Sequence, residues 1–277
     1  MLELEHGFQA LDVHARLHPG PGRPIRAKTI DAEELEREIH HAGIAQAVVF
    51  PGPVSGERGY LRANNAIARQ TVERPLIAMA RLDGPREGSG TVTAMLKDTI
   101  ARPDAAHTTP DDVKQYAYDD RFYGFKLDPA QDGLPTEDVL DALEDVGLPV
   151  LLDGGRQFPP EQVDEFLLGR SIPVVLAHFG GYPADRNLMS ETIELLERRD
   201  SLYLDTSAVR YRDLLERAIM EHPDRVVFGS GAPTVHPNVG VMEVLTLDVP
   251  ENAMERVFTK NLIRIFPDLN GVSSSNH

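Results

Sequence analysis

The sequence predicts a single (β/α)8 barrel, and three observations lead to that fold. Eight short apolar runs alternate with amphipathic segments along the 277 residues. Each run is short enough to form a buried parallel strand. No Gly-x-Gly-x-x-Gly turn follows the first run, which disfavours a doubly wound open sheet. We therefore expect one barrel domain over residues 1–270, with a disordered tail at 271–277.

The predicted strands share a short core of aliphatic or aromatic residues, often Val, Ile or Leu, between polar or turn residues. They are residues 8–13, 45–50, 76–82, 123–127, 149–152, 172–177, 202–204 and 225–228.

Capping residues and periodicity predict the helices between these strands. Asp31 and Glu34 have the spacing of a capping box, and Gly43 ends that helix. Thr136 and Gly147 bound a second helix in the same way. The other predicted helices are residues 61–72, 92–100, 160–169, 187–199, 211–221, 239–247 and 251–265, the last of which closes the chain.

The connection after the third strand is longer than one helix requires. Residues 83–120 separate the third and fourth predicted strands. Besides the helix at 92–100, we expect an acidic loop at 102–119 that lies over the mouth of the barrel.

Composition excludes several classes of function. Cysteine is absent, so disulfides, iron–sulfur clusters and a thiol nucleophile are excluded. A net charge of −16, from 44 acidic against 28 basic residues, disfavours nucleic acid and anionic membranes as partners. The basic residues are 23 Arg and 5 Lys. This bias suits either a halophilic protein or an acidic protein of a GC-rich genome.

The ends of the chain and its hydropathy predict the location. The first residues are acidic, whereas a signal peptide begins with positive charge. No apolar run reaches the roughly 18 residues that span a bilayer. We expect a cytoplasmic protein without membrane partners.

Ionisable residues stand where the predicted strands end. In (β/α)8 barrels the carboxyl ends of the strands form the active site. We therefore expect one cluster on one rim of the barrel, composed of His14, Arg16, Lys126, Asp128, Asp153, His178 and Asp205.

Six motifs in order resemble the amidohydrolase-related TIM-barrel proteins, which include aminocarboxymuconate-semialdehyde decarboxylase, resorcylate decarboxylases and lactone hydrolases. The motifs are Leu-Asp-Val-His-Ala, Gly-Phe-Lys-Leu, Leu-Pro-Val-Leu-Leu, Val-Val-Leu-Ala-His-Phe-Gly-Gly, Leu-Tyr-Leu-Asp-Thr-Ser and Val-Val-Phe-Gly-Ser-x-Ala-Pro. The resemblance covers nearly the whole chain. It implies a hydrolase or decarboxylase for a small carboxylated or cyclic substrate, and a homodimer.

The metal site that this resemblance implies is incomplete here. Family members hold a divalent metal with His-x-His at the first strand, His at the fifth and Asp at the eighth, while a His at the sixth assists catalysis. In this chain His14 is followed by Arg16, and Asp153 stands at the fifth strand. Gly231 stands at the eighth strand, and the sixth keeps His178.

Arg16 is the most informative of these changes. A guanidinium stays protonated and offers only donors, so it cannot ligate a metal. We hypothesise that Arg16 replaces the charge of the metal and forms a buried ion-pair network with Asp153, Asp128 and Asp205. On this hypothesis the protein needs no metal or other cofactor.

A rearranged metal site is the alternative. A divalent ion such as zinc would then be held by His14, Asp153 and His178, with Lys126 as a candidate carbamate bridge.

The expected roles follow from residue type. His178, Lys126 and Asp153 are the candidate catalytic residues. His178 would transfer a proton, because an imidazole at the rim titrates near neutrality. Lys126 would orient the anion together with Arg16, and Asp153 would hold the orientation of its neighbours. The candidate substrate-binding residues are His14, Arg16, Asp128 and Asp205, of which each also has an ordinary structural explanation.

Two other functions stay open. The missing metal ligands favour a catalytically silent barrel that binds a metabolite or a partner. Asp128 and Asp153 could also form the carboxylate pair of a glycosidase, although no other sugar-site feature accompanies them.

Overall fold

The computed structural model describes residues 3–4, 6–18, 30–54, 59–85, 107–267 and 269. Within them, eight parallel strands follow one another in the order β1 to β8. The strands are β1 (Ala10–Leu17), β2 (Ile44–Pro51), β3 (Leu76–Arg81), β4 (Phe122–Leu127), β5 (Val150–Gly155), β6 (Val174–Tyr182), β7 (Leu202–Asp205) and β8 (Val226–Val227). The predicted (β/α)8 barrel is confirmed.

The barrel closes between the first and last strands. The Val13 amide donates to the Phe228 carbonyl at 2.9 Å, and the Arg16 amide donates to the Ala232 carbonyl at 2.9 Å. A side-chain contact adds to these two bonds: the buried carboxylate of Asp12 on β1 accepts from the Ser230 amide and hydroxyl at 2.9 and 2.5 Å. The polar end of β1 is thus attached to the segment that follows β8.

Helices surround the barrel between successive strands. They are α1 (Ala32–His41), α2 (Gly59–Gln70), α3 (Pro110–Ala117), α4 (Pro129–Asp132), α5 (Glu137–Val146), α6 (Pro160–Val163), α7 (Arg186–Leu195), α8 (Arg212–Glu221), α9 (Pro237–Leu245), α10 (Glu251–Glu255) and α11 (Asn261–Ile265). A π-helical turn, Asp164–Leu168, continues α6, and another, Arg256–Lys260, joins α10 to α11. None of the described helices is long and apolar enough to cross a membrane.

Asp31 and Gly147 act as their sequence positions predict, whereas the Thr136 side chain makes no capping hydrogen bond to the helix that it precedes. Asp31 accepts a hydrogen bond from the Glu34 amide at 2.8 Å, and the helix ends two residues before Gly43. Gly147 adopts a left-handed conformation after α5, with φ of 66°. Glycine suits this position because it lacks the Cβ that makes positive φ costly.

The hydrophobic core has two layers. One lies between the sheet and the helices, and the other fills the inside of the barrel. Leu262, Ile265, Phe266 and Leu269 of the C-terminal segment pack into the inner layer. The chain end therefore supports one end of the barrel, while the polar strand ends stay free at the other.

The segment after β3 differs from its prediction. Residues 110–117 form α3, with Thr109 and Asp112 as a capping box, instead of an acidic loop over the mouth. Val113 and Tyr116 are buried in the outer layer of the core. Those apolar positions explain why the segment packs on the barrel wall. The predicted helix at 92–100, residues 102–106 of the predicted loop and the tail at 271–277 lie outside the described residues.

We predict that Gly124→Ala destabilises the barrel. A Cβ at this position would lie 2.5 Å from the Pro149 carbonyl oxygen and 2.7 Å from Met79 Cε, so β4 and β5 would have to separate. The free energy of unfolding in urea should fall by about 1–3 kcal/mol. Gly169→Ala is the control, because an added Cβ there meets no atom within 4 Å. Equal stability of the two variants would contradict the prediction.

Candidate active site

A buried carboxylate, Asp205 at the end of β7, organises the site. Its Oδ2 accepts from His14 Nδ1 at 2.7 Å. Its Oδ1 accepts from the amides of His178 and Ser207 at 3.1 and 2.8 Å, and also from the Ser207 hydroxyl. Burial acts to raise the pKa of Asp205, but the His14 charge and these hydrogen bonds hold that pKa below its ordinary value. Asp205 is therefore an anion that joins β1, β6 and β7.

His178 lies on a bulge of β6. Between Asp153 and Gly155 of β5, the paired residues of β6 advance from Ala177 to Tyr182. His178 itself has φ of 57°, a conformation that residues with a Cβ rarely adopt. The bond from its amide to Asp205 stabilises this strained backbone.

The two imidazoles present the same nitrogen to the pocket. His178 Nδ1 donates to the Ser207 carbonyl at 2.9 Å, and His14 Nδ1 donates to Asp205. In the neutral rings Nε2 is then the unprotonated nitrogen. Burial, followed by the charge of His14, lowers the pKa of His178. His178 is thus equipped to accept a proton at neutral pH.

Lys126 forms an ion pair with Asp153 across neighbouring strands. Its fully buried ammonium lies 2.7 Å from Asp153 Oδ1 and donates to the Leu127 carbonyl at 3.2 Å. Asp153 Oδ1 makes no well-aligned hydrogen bond, so the contact is mainly electrostatic. Burial opposes ionisation, but Lys126 and then the two imidazoles hold the pKa of Asp153 well below its ordinary value.

Arg81 at the end of β3 is occupied by two carboxylates. Its Nε donates to Asp132 at 2.7 Å and its Nη2 to Asp128 at 3.1 Å. Asp132 also accepts from the Tyr60 hydroxyl at 2.5 Å. Burial and the Asp153 charge raise the pKa of Asp128 to about 6. Unlike Asp153, Asp128 can hold a proton near neutral pH.

The contacts of Arg16 contradict the predicted ion-pair network. Among the described residues its guanidinium donates to Thr234 Oγ1 at 3.2 Å and forms no ion pair. Asp153, Asp128 and Asp205 are paired with Lys126, Arg81 and His14 instead. The prediction was wrong because another basic residue lies closer to each carboxylate: Lys126 and Arg81 on neighbouring strands, and His14 across β8 from Asp205. Burial and the charge of Arg81 lower the pKa of Arg16.

A pocket of about 650 Å³ opens at the strand ends. Five of the seven predicted residues line it, namely His14, Arg16, Asp128, Asp153 and His178. Lys126 and Asp205 do not, because each is fully buried behind a residue that does. Direct substrate contact by Asp205, and direct catalysis by Lys126, do not agree with this placement. Both side chains instead hold pocket residues in position.

Ser207 and Arg81 also take part in the site, and neither is among the residues predicted for it. Ser207 Oγ lies 2.8 Å from His178 Nδ1 and 3.2 Å from His14 Nδ1. The Tyr182 ring lies 5.1 Å from the His178 ring at the pocket wall. Arg81 lies one residue before the end of the predicted strand 76–82, a position that could have identified it. For Ser207 the only signal was its place two residues after Asp205.

Nearly the whole chain matches one family of known proteins. The model of the amidohydrolase family matches residues 11–267. The chain belongs to the amidohydrolase family. A search of curated proteins finds no match.

Solved structures share the fold of this amidohydrolase. The 5-carboxyvanillate decarboxylase of Sphingomonas paucimobilis is 13% identical, with a TM-score of 0.65 over 94% of this chain and 99% of that one. A probable 2-pyrone-4,6-dicarboxylic acid hydrolase of Acinetobacter baumannii, with citric acid bound, is 15% identical, with a TM-score of 0.60 over 94% and 100%. A dihydroxybenzoic acid decarboxylase of a Polaromonas species, with manganese and 2-nitroresorcinol bound, is 13% identical, with a TM-score of 0.64 over 97% and 100%.

A divalent metal can be tested against the residues of this amidohydrolase. His14, Asp153 and His178 each offer a ligand atom, and these atoms lie within 4.8 Å of one another. Two imidazoles and one carboxylate are a known donor set for divalent transition metals. The set can therefore hold a metal ion. The Lys126 ammonium opposes that ion, since it already offsets the charge of Asp153.

We predict that Asp205→Asn destabilises the amidohydrolase, because an amide cannot accept all four hydrogen bonds. The free energy of unfolding in urea at pH 7 should fall by about 2–4 kcal/mol. The carboxylate contribution is fully present above the ordinary aspartate pKa of about 3.9 and is lost as pH falls through the lowered folded value. The difference in the free energy of unfolding between wild type and variant should therefore become smaller in acid.

Asp200→Asn is the control for this prediction. Asp200 is fully exposed, so its pair with Arg225 should contribute little. If Asp205→Asn were no more destabilising than Asp200→Asn, the central role of Asp205 would be wrong.

Proposed function

We propose that this chain is an enzyme that opens a small cyclic ester or amide bearing a carboxylate, without a resident metal. The observation that carries the proposal is the pocket itself. It combines an imidazole base, a cation without an ion-pair partner among the described residues, and a carboxyl group that can hold a proton.

Arg16 supports recognition of an anionic substrate. Of the three arginines that line the pocket, Arg81 and Arg156 are paired with carboxylates of the described chain, whereas Arg16 is not. A guanidinium binds a carboxylate with two parallel charge-assisted hydrogen bonds. The carboxylate of the substrate would supply the ion pair that Arg16 lacks.

An ion pair between Arg16 and the substrate carboxylate also favours ring opening over decarboxylation. An ion pair with Arg16 stabilises a carboxylate in the ground state, which raises the barrier to losing it as carbon dioxide. A carboxylate that only anchors the substrate can keep the ion pair throughout the reaction. The reacting bond would then be elsewhere on the ring.

His178 supports activation of water. Its Nε2 faces the pocket unprotonated, and the lowered pKa keeps it so at neutral pH. In this role it removes a proton from water as the oxygen attacks the ring carbonyl. The bond from its backbone amide to Asp205 holds the backbone in position, and the bond from Nδ1 to the Ser207 carbonyl holds the ring.

Lys126 supports a mechanism without a metal. Its ammonium supplies positive charge at Asp153, the role that the sequence analysis gave to Arg16. The charges of the Lys126 ammonium and the Asp153 carboxylate cancel, so this pair offers no net negative charge for a dication to bind. A metal bound at His14, Asp153 and His178 would supply an electrophile for the substrate or for water, and is the alternative.

The proposed function is tested with purified protein and a substrate panel. The panel contains five- and six-membered lactones and lactams with a ring carboxylate, their methyl esters, and hydroxybenzoic acids. Ring opening is followed by pH-stat titration and decarboxylation by carbon dioxide release. Opening of the carboxylated rings supports the proposal. Carbon dioxide release alone would indicate a decarboxylase, and binding without turnover would indicate the silent barrel.

We predict that Arg16→Gln weakens use of carboxylated substrates. Loss of charge-assisted hydrogen bonds should lower kcat/KM by about 10- to 100-fold, mainly through KM. The methyl esters should be affected by less than about 3-fold, since they offer no anion. Arg37→Gln, which removes one partner of an exposed ion pair on α1, is the control. Equal losses on acids and methyl esters would contradict the anchoring role.

We predict that Lys126→Met creates a metal dependence that the wild type lacks. Without the ammonium, Asp153 remains a buried anion beside two imidazoles, and a dication then stabilises the fold. Added manganese or zinc should raise Tm by about 4 °C or more in this variant. Wild type and the double variant Lys126→Met/Asp153→Asn should not respond. About one equivalent of metal in wild type purified without chelator would contradict the proposal.

A further inference from the structure

The proposed ring opening requires a proton donor as well as a base. When the tetrahedral intermediate collapses, the ring oxygen leaves as an anion unless an acid protonates it. Neither imidazole is placed to do this initially, since both have Nε2 unprotonated in their neutral form. Gly231, which follows β8, has no side chain to contribute.

Two carboxyl groups line the pocket among the described residues, Asp128 and Asp153. The Lys126 ammonium lies 2.7 Å from Asp153 and keeps it ionised. Asp153 therefore carries no proton that it could donate. Asp128 is the remaining candidate.

The surroundings of Asp128 suit proton transfer. Its side chain is 15% exposed, and its Oδ2 accepts one hydrogen bond, from Arg81 at 3.1 Å. No other hydrogen bond from the described residues reaches the carboxyl group, although it stands at the start of the short helix α4. One oxygen is thus held in place while the other is available to a substrate.

The charged groups around Asp128 come from every neighbouring element. Arg81 on β3 and Lys126 on β4 favour its ionised form, whereas Asp132 on α4 and Asp153 on β5 favour its protonated form. Arg16 on β1 also lies within electrostatic range. Burial, together with the charges of Asp153 and Asp132, raises the pKa of Asp128 to about 6.

We propose that Asp128 is the general acid that protonates the leaving atom of the ring. The inference rests on the proposed function. The water oxygen forms a bond to the ring carbonyl carbon as its proton passes to His178. The bond from that carbon to the ring oxygen or nitrogen then breaks, its electron pair stays on the leaving atom, and the Asp128 proton bonds to that atom. His178 ends protonated and Asp128 ionised, and proton exchange with solvent restores both.

The test compares two leaving groups in Asp128→Asn. The probes are a carboxylated δ-lactone, which expels an alkoxide, and a carboxylated dihydrocoumarin, which expels a more stable phenoxide. Removal of a general acid should lower kcat on the lactone by about 100- to 10,000-fold and on the dihydrocoumarin by less than about 10-fold. Asp128→Glu should recover part of the lactone rate, because it restores a carboxyl group.

The pH profile gives a second measurement. An acid must be protonated to act, so lactone kcat/KM in wild type should fall as pH rises through about 6. Asp128→Asn should lose this limb of the profile. Asp132→Asn is the matched control, because Asp132 binds the same arginine but does not line the pocket. It should affect both substrates alike and keep the limb, displaced to lower pH because the Asp132 charge favours the protonated form of Asp128.

An activity-independent measurement separates this inference from the proposed function. In an infrared titration, the wild-type minus Asp128→Asn difference spectrum should show the carbonyl band of a protonated carboxyl, and this band should grow as pH falls through about 6. No such band, or equal losses on both leaving groups, would overturn the role of Asp128. Absence of turnover on the whole panel would overturn the proposed function, and the acid role with it, even where the band is present.

Discussion

The site depends on one buried anion, Asp205. Its two oxygens accept from His14, Ser207 and the backbone of the β6 bulge, so a single carboxylate joins three strands. A buried carboxylate is stable only when such donors satisfy it. The bond from Nδ1 sets the orientation of the His14 ring, and the bond from the His178 amide stabilises the left-handed backbone there. The hydrogen bonds that position the base therefore also join these three strands.

Charge in the pocket is arranged in pairs, with one exception. Lys126 offsets Asp153, Arg81 offsets Asp128 and Asp132, and among the described residues Arg16 has no acidic partner. Burial and the neighbouring Asp153 charge raise the pKa of Asp128, whereas Lys126 and the two imidazoles hold Asp153 ionised. Two carboxyl groups at adjacent strand ends thus differ in protonation because more positive charge surrounds Asp153.

The net negative charge of the whole chain makes the positive charge of Arg16 important for binding an anion. The protein carries a net charge of −16, so a small anion is repelled at long range. A half-buried guanidinium at the pocket interacts with a bound carboxylate in a lower dielectric, where screening by water and salt is weaker. Affinity for an anionic substrate would therefore come from contact in the pocket, while the surface contributes little to attracting it.

The sequence by itself determined the barrel and the residues at its rim. Alternating apolar runs, together with caps such as Asp31, depend on local pattern, and parallel strands necessarily bring residues such as His14 and His178 to one end. Only the tertiary structure decided which charges are neighbours. The register of the strands places Lys126 against Asp153 and Arg81 against Asp128, and the β6 bulge brings the His178 backbone to Asp205. Ion pairing depends on distances of a few ångströms, which residue order along the chain does not specify.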